Sequence, residues 1–123
     1  MKKGLVLFLS LFIICSCNEQ KEEKREYTVQ ATSIDCNTMK EKIVEGAYLI
    51  DVRTKEEYKN GTIEFAINVT LDDLDNIANT IPSKDTPVIV FCQSGTRSKK
   101  AAQKLLDLGY LEVYDLGSIN SCN

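Results

Sequence analysis

The sequence contains no histidine, and this absence limits the chemistry that the chain can perform. Nucleophiles activated by a His base and metal sites with a His ligand are both excluded. The sequence also lacks a Cys-x-x-Cys pair, the spacing typical of thioredoxin-like redox proteins. We therefore expect no metal and no cofactor, and a nucleophile in this chain needs another means of activation.

Basic residues are outnumbered by acidic ones. The chain has 15 Lys and Arg against 18 Asp and Glu, which gives a net charge of −3. Removal of residues 1–16 would take away Lys2 and Lys3 but no acidic residue, and would bring the net charge to −5. Because binding to phosphates requires basic patches, nucleic acid is not expected as a partner.

A long apolar run is also missing. The longest one, residues 4–14, is apolar apart from Ser10 and follows two lysines. It is shorter than the about 20 apolar residues that span a bilayer, and it fits the apolar core of a secretory signal peptide. The next residues, Ile14-Cys15-Ser16-Cys17, resemble the lipobox of bacterial lipoproteins.

In bacterial lipoproteins the signal peptide is cut before the lipobox Cys, here Cys17, whose sulfur receives a diacylglycerol. We expect residues 1–16 to be such a signal peptide, and the mature chain to be a periplasm-facing lipoprotein of the outer or inner membrane. The alternative is an ordinary cleaved signal in which Cys17 is incidental. Residues 18–26 are nearly all charged or amide, so we expect a tether over residues 17–26 and one domain over residues 27–123.

Hydrophobic patterning predicts strands that alternate with helices in this domain. The run 87–91 is the clearest buried strand, and residues 71–81 have an apolar face of Leu71, Leu74, Ile77 and Ala78. Such alternation is typical of an α/β fold with a mainly parallel sheet. The predicted strands are 27–32, 48–52, 66–69, 87–91 and 112–116, and the predicted helices are 35–45, 54–61, 71–81 and 98–108. Thr38 with Glu41 offers one possible capping box, and Thr54 with Glu57 is a second, which opens the helix over 54–61.

Two cysteines of this domain, Cys36 and Cys122, leave two interpretations open. Export would place them where disulfides persist, so they could pair with each other. The alternative is two unrelated free thiols, and the sequence alone does not decide between them.

The most informative segment follows the predicted strand 87–91. A cysteine between a strand and a helix faces unpaired N–H groups and the positive end of the helix dipole, and both favour a thiolate. Gly95 allows the backbone to curl into an anion-binding nest, Arg97 adds a positive charge, and Ser98 could cap the helix. The predicted nucleophile is Cys92, and the loop comprises Cys92, Gln93, Ser94, Gly95, Thr96, Arg97 and Ser98.

At this point the sequence resembles the rhodanese-like domain family, over about residues 34–117. The short, exported, single-domain members of the phage shock protein E type are the nearest in kind. The resemblance implies an α/β rhodanese-like fold with a central, mainly parallel five-stranded sheet flanked by helices. The residues that carry it are Asp51-Val52-Arg53, Glu57-Tyr58, Gly61, Ile63, Ala66-Ile67-Asn68, the segment from Phe91 to Ser98, Leu108-Gly109-Tyr110 and Val113-Tyr114-Asp115-Leu116.

The resemblance also implies a sulfurtransferase mechanism. The Cys92 thiolate would take the sulfane sulfur of a donor such as thiosulfate, and the resulting persulfide would pass it to cyanide or a thiol. Asp51 and Arg53 would support the site, with a pair between Asp51 and Arg97 as one option; the alternative is that they only support the fold. Partners would be small sulfur anions or thiols and, through Cys17, a membrane. A small acidic domain of this kind could be a monomer.

Departures from the family and from related families refine this expectation. Gln93 stands where many members carry Arg, which weakens the attraction for thiosulfate. Thr62 replaces a frequent His, and Glu64-Phe65 replace a frequent Pro-Gly, in a turn that we expect to affect packing more than chemistry.

Three alternatives to sulfur transfer remain open from the sequence. Dual-specificity and related phosphatases have their Arg six positions after the Cys, whereas Arg97 follows Cys92 by five. The tighter loop fits a sulfur atom better than a tetrahedral phosphate, so a phosphatase or arsenate reductase is less favoured. A thiol redox protein, with Cys36 or Cys122 resolving an oxidised Cys92, is the second alternative. A non-catalytic module that binds an anion or a partner is the third.

Overall fold

The computed structural model describes residues 30–123, and within them the predicted α/β architecture is confirmed. Five strands form one sheet in the order β1-β5-β4-β2-β3, and every neighbouring pair is parallel. The strands are β1 (Thr32–Ser33), β2 (Tyr48–Asp51), β3 (Ile67–Asn68), β4 (Val88–Cys92) and β5 (Val113–Ser118). The helices are α1 (Cys36–Val44), α2 (Lys55–Lys59) and α3 (Thr96–Asp107), with two 3₁₀ helices, η1 (Leu71–Asn79) and η2 (Ile119–Cys122).

Strand β4 lies at the centre of the sheet, and all five of its residues are buried. Since side chains alternate along a strand, its residues serve two separate cores. Val88, Val90 and Cys92 pack on the face covered by α3 and η1, while Ile89 and Phe91 pack on the face covered by α1. Each fully buried aliphatic side chain of this kind contributes roughly 1.5–3 kcal/mol to folding.

Strand β5 extends further than its sequence predicts, and the reason bears on the site. The register between β4 and β5 shifts between Val90 and Phe91, a β-bulge, so that Phe91 pairs with Gly117 and Cys92 with Ser118. Gly117 has φ +80°, a conformation that glycine adopts without strain. The bulge therefore carries β5 two residues past the predicted end at 116 and brings Ser118 alongside Cys92.

Three other local predictions were wrong in detail. Strand β1 begins at Thr32 instead of ending there, and residues 27–29 lie outside the described part of the chain. The helix predicted over 71–81 is a 3₁₀ helix that ends at Asn79, in which every third residue shares a face; Leu74 and Ile77 are buried accordingly, and Ala78 is exposed. Helix α1 is capped by the Asp35 carboxylate and not by a Thr38–Glu41 capping box.

The predicted capping box of α2, formed by Thr54 and Glu57, is present with both reciprocal bonds. Over residues 30–123, no helix combines the length and apolar character needed to cross a membrane. The signal peptide, Cys17 and the tether lie outside the described residues.

Candidate active site

Cys92 occupies the carboxyl end of the central strand, and residues 93–95 separate it from the start of α3. In an open parallel sheet this edge is where strands end and helices begin, and functional sites form there. The same edge brings in the segment after β2, which carries Asp51 and Arg53. The structure therefore places all the residues predicted for the site at one edge of the sheet.

The sulfur of Cys92 acts as the cap of α3. Its Sγ atom accepts hydrogen bonds from the N–H groups of Gly95, at 3.0 Å, and Ser98, at 3.3 Å. An N-cap side chain ordinarily accepts from the third helical residue, which here is Ser98. Gly95 holds the N-cap position without a side chain, at φ +96°, so Cys92 supplies the acceptor instead.

These hydrogen bonds lower the pKa of Cys92. Burial raises the pKa of the thiol, but hydrogen bonds from Ser98 and from the N–H groups of Gly95 and Ser94 favour the thiolate and prevail. The pKa of Cys92 therefore lies below its ordinary value without any imidazole base. A thiolate is the reactive form of cysteine, so the geometry prepares Cys92 as a nucleophile.

Ser98 has a different position from the one its sequence suggests. Helix α3 begins at Thr96, two residues before the predicted start, so Ser98 lies in the first turn and is not the cap. It is fully buried, and its hydroxyl donates to the Gly95 carbonyl at 3.0 Å. The residue thus fixes the curl of the loop while its N–H group contacts the sulfur.

Cys92 itself is fully buried beneath the loop. Gln93, Ser94 and Thr96 are exposed above it. The Ser118 hydroxyl holds the loop from the opposite strand by donating to the Gln93 carbonyl at 2.7 Å. A reagent must therefore approach the sulfur past these exposed residues.

Arg97 pairs with Glu57, a residue for which the sequence indicated no partner in the loop. Two guanidinium nitrogens of Arg97 donate to the Glu57 carboxylate at 2.6 and 2.9 Å. The Arg97 hydrogen bond lowers the pKa of Glu57 to about 2. The suggested pair between Asp51 and Arg97 is therefore wrong, because the ion-pair partner of Arg97 is Glu57, in the first turn of α2.

Asp51 pairs with Arg53 instead, in a buried network. Arg53 donates to the Asp51 carboxylate through Nη2 at 2.8 Å, and to the Gly61 carbonyl at 2.6 Å. Its other terminal nitrogen, Nη1, donates to Oε1 of Gln93 at 3.1 Å, so the network extends into the loop that follows Cys92. The Thr62 hydroxyl also donates to the Asp51 carboxylate, at 2.9 Å. The turn that contains Thr62 was expected to affect mainly packing, but this hydrogen bond makes it part of the same network.

The other two cysteines of the described residues form a disulfide. Cys36 at the start of α1 is bonded to Cys122 in η2, with Cα atoms 5.2 Å apart. The sequence left open whether these two cysteines pair or stay free, and the structure shows the pair. Cys92 is the free cysteine of residues 30–123. No group of Cys, Asp and Glu side chains in these residues is arranged to hold a metal ion.

Comparison with known proteins agrees with this geometry. The model of the rhodanese-like domain family matches residues 35–121. Thiosulfate sulfurtransferase PspE of Escherichia coli is 35% identical over 71 residues, which cover 57% of this chain and 68% of that protein. A sulfurtransferase of Allochromatium vinosum is 32% identical over 85 residues, covering 68% of this chain and 78% of that protein.

A further relative and a solved structure extend the comparison. YqhL, an uncharacterized protein of Bacillus subtilis, is 43% identical over 70 residues, and the match spans only 55% of its length. A solved structure described as rhodanese with anions from E. coli superimposes with a TM-score of 0.60 at 32% identity, covering 62% of this chain and 91% of that one. With its fold, its cysteine loop and its relatives in agreement, the chain belongs to the rhodanese-like domain family.

Proposed function

We propose that this protein is a sulfurtransferase that carries sulfur as a persulfide on Cys92. The observation that carries the proposal is the hydrogen bonding of Sγ by Gly95 and Ser98 at the start of α3. This arrangement favours a thiolate without a His base, and the same N–H groups stabilise a second anionic sulfur bound to the first. The names of the E. coli and A. vinosum relatives support this reaction class.

The reaction consists of two displacements at sulfur. The Cys92 thiolate attacks the outer sulfur of the donor; the bond between that sulfur and the rest of the donor breaks, and the leaving group, sulfite for thiosulfate, departs with the electron pair. Cys92 then carries a persulfide. An acceptor such as cyanide or a thiolate attacks the outer sulfur, and Cys92 returns as a thiolate.

The thiol redox alternative is disfavoured by the disulfide. Resolution of an oxidised Cys92 would require a free thiol at Cys36 or Cys122, and the two are bonded to each other. The alternative of a non-catalytic binding module gains no support from the loop. The loop lowers the pKa of Cys92, and a module that only binds an anion or a partner does not need a thiolate.

Intact mass spectrometry tests the proposal. The protein is treated with a sulfur donor, freed of excess reagent and weighed; we expect a gain of one sulfur atom that cyanide removes. The Cys92→Ser variant is the control and should gain none. A Cys92 that stays unmodified in a folded protein, or a sulfur gained equally by Cys92→Ser, would contradict the proposal.

We further propose that the enzyme acts at the cell envelope, held by a lipid on Cys17. The lipobox-like segment and the charged residues after it support this proposal. Expression of the full chain and of Cys17→Ala, followed by membrane fractionation and mass analysis, tests it. We expect the unaltered chain in the membrane fraction with a diacylglycerol-modified N-terminus, and the variant without the lipid. A soluble, unlipidated product from the unaltered chain would refute it.

A further inference from the structure

The charges around Cys92 cancel one another in the structure. Arg97 is paired with Glu57 at 2.6 Å, and Arg53 is paired with Asp51 at 2.8 Å. The position after the nucleophile, Gln93, is neutral and uses its Oε1 atom to accept from Arg53. The arginines of the site therefore present no uncompensated positive charge to an incoming donor, and the electrostatic attraction for a dianion such as thiosulfate is weak.

A cavity lies beside the catalytic loop, and Gln93 connects the two. The cavity measures about 480 Å³, which is within the range of roughly 300–1,000 Å³ for sites that bind organic molecules and larger than a small inorganic anion needs. Its wall combines apolar and charged groups. Its lining includes Gln93, Arg53, Ile63, Ile119, Asn120 and the Cys36–Cys122 disulfide, and Lys40 and Glu64 contribute one charge of each sign.

Gln93 leaves hydrogen-bond donors available at this cavity. Its side chain is exposed, its oxygen is engaged by Arg53, and its amide nitrogen has no acceptor within residues 30–123. A neutral amide N–H group suits an oxygen of an uncharged or singly charged ligand, whereas an arginine would favour a dianion. The neighbouring disulfide and Ile119 provide an apolar surface for an organic substituent.

We propose that this cavity binds the organic part of the sulfur donor, and that the enzyme prefers an organic donor with a single negative charge to thiosulfate. The inference rests on the proposed persulfide chemistry and names its substrate class. For a thiosulfonate, the Cys92 thiolate attacks the outer sulfur of R–SO₂–S⁻, the S–S bond of the donor breaks, and the sulfinate R–SO₂⁻ leaves. Cys92–S–S⁻ remains, so atoms and charge balance.

Three donors separate the effect of charge from that of the cavity. Thiosulfate is an inorganic dianion, methanethiosulfonate a small monoanion, and benzenethiosulfonate a monoanion with a ring that can occupy the cavity. Each kcat/KM is divided by the rate of the same donor with free cysteine, which removes intrinsic reactivity. We expect this corrected kcat/KM to rise about tenfold from thiosulfate to methanethiosulfonate, and about tenfold again to benzenethiosulfonate.

Two variants test the residues that carry the inference. Gln93→Arg restores a positive charge and should raise the ratio of thiosulfate to methanethiosulfonate activity about tenfold. Asn120→Trp fills the cavity from η2 and should remove the advantage of benzenethiosulfonate over methanethiosulfonate. Val44→Trp is the matched control; it adds the same side chain at a position 89% exposed and outside the cavity, and should leave all three rates unchanged.

Salt dependence gives a separate measure of the charge at the site. Because exposed charges are screened by salt, a net positive site would lose thiosulfate activity steeply between about 0.05 and 0.5 M salt. We expect a change of less than about twofold for the unaltered protein, and a larger one for Gln93→Arg.

The outcomes separate this inference from the proposed function. A corrected thiosulfate activity equal to or above that of both organic donors, with steep salt dependence, would overturn the inference while persulfide formation stands. Equal benzene- and methanethiosulfonate activities, unaffected by Asn120→Trp, would overturn the role of the cavity. Failure of all three donors to load Cys92 would overturn the proposed function and this inference together.

Discussion

Residues 30–123 contain cysteines in two opposite situations. Cys92 is a single thiol whose sulfur accepts two backbone N–H groups at the start of a 12-residue helix. Cys36 and Cys122 saturate each other in a disulfide between the start of α1 and the C-terminal η2. Cys92 is fully buried, whereas Cys36 and Cys122 are only partly buried, so greater exposure does not account for the reactivity proposed for Cys92. The two situations differ in the partner of the sulfur: N–H groups that favour a thiolate in one, and a second sulfur in the other.

The largest effect is expected from Cys92→Ser. Loss of the nucleophile should reduce sulfur transfer by on the order of 10³-fold or more, because the remaining groups only bind and orient the substrate. The free energy of unfolding should change little, since a serine oxygen also accepts N–H groups at a helix start. Activity assays and urea unfolding measure the two effects. A loss of stability that accounts for the loss of activity would remove the distinction between the two cysteine sites.

The opposite result is expected when the disulfide is removed. Cys36→Ser/Cys122→Ser should lower the free energy of unfolding by roughly 2–4 kcal/mol, because the cross-link closes a loop with a sequence separation of 86 residues. Persulfide formation on Cys92 should persist in the folded protein. Urea unfolding with and without a reductant, compared with the unaltered chain, gives the measurement. If the double variant folds but cannot form the persulfide, these cysteines take part in the chemistry.

Gly95→Ala sharpens the comparison at the reactive site. An alanine at φ +96° costs about 1–2 kcal/mol, while the added methyl group would meet only ordinary contacts with Gly117. The strained loop should also withdraw N–H groups from the sulfur and raise the pKa of Cys92.

Gly109→Ala provides the matched control for this change. It lies at the other end of α3 with φ +94° and open space around it, so it should cost similar stability and leave the pKa of Cys92 unchanged. The pH dependence of Cys92 alkylation by iodoacetamide reports that pKa in each variant. An equal pKa in both variants would show that the curl of the loop does not set it.

The smallest effect is expected from Glu57→Gln. The ion pair with Arg97 has side chains about one third exposed, so its loss should cost roughly 0.2–1 kcal/mol at pH 7. The pKa of Glu57 is lowered from 4.5 to about 2, so this stability is present above pH 4.5 and is lost as the pH falls towards 2. Glutamine keeps the capping box with Thr54.

Urea unfolding across this pH range measures the difference between the unaltered chain and Glu57→Gln. Glu56→Gln, one residue earlier on the exposed surface of α2, is the control. A difference that does not shrink on acidification would mean that the ion pair is not its cause.

The sequence predicted the fold and the loop because both depend on local signals. The apolar run of β4, followed by Cys, Gly and Ser, identifies a strand, a turn and a helix within a dozen residues. The Glu57–Arg97 pair was missed because its residues are 40 positions apart and Glu57 already had a local explanation as a cap. The 3₁₀ form of residues 71–79 was missed because spacings of three and four both fit its apolar residues.

The capping of α3 by sulfur offers a way to observe the proposed reaction. In that reaction, each turnover would change the acceptor that the N–H groups of Gly95 and Ser98 face, from a thiolate to a persulfide and back. The amide protons of these two residues are therefore built-in spectroscopic reporters of the reaction. Their NMR chemical shifts and their rates of exchange with solvent deuterium should distinguish the resting state from the sulfur-loaded state, without any label on the substrate.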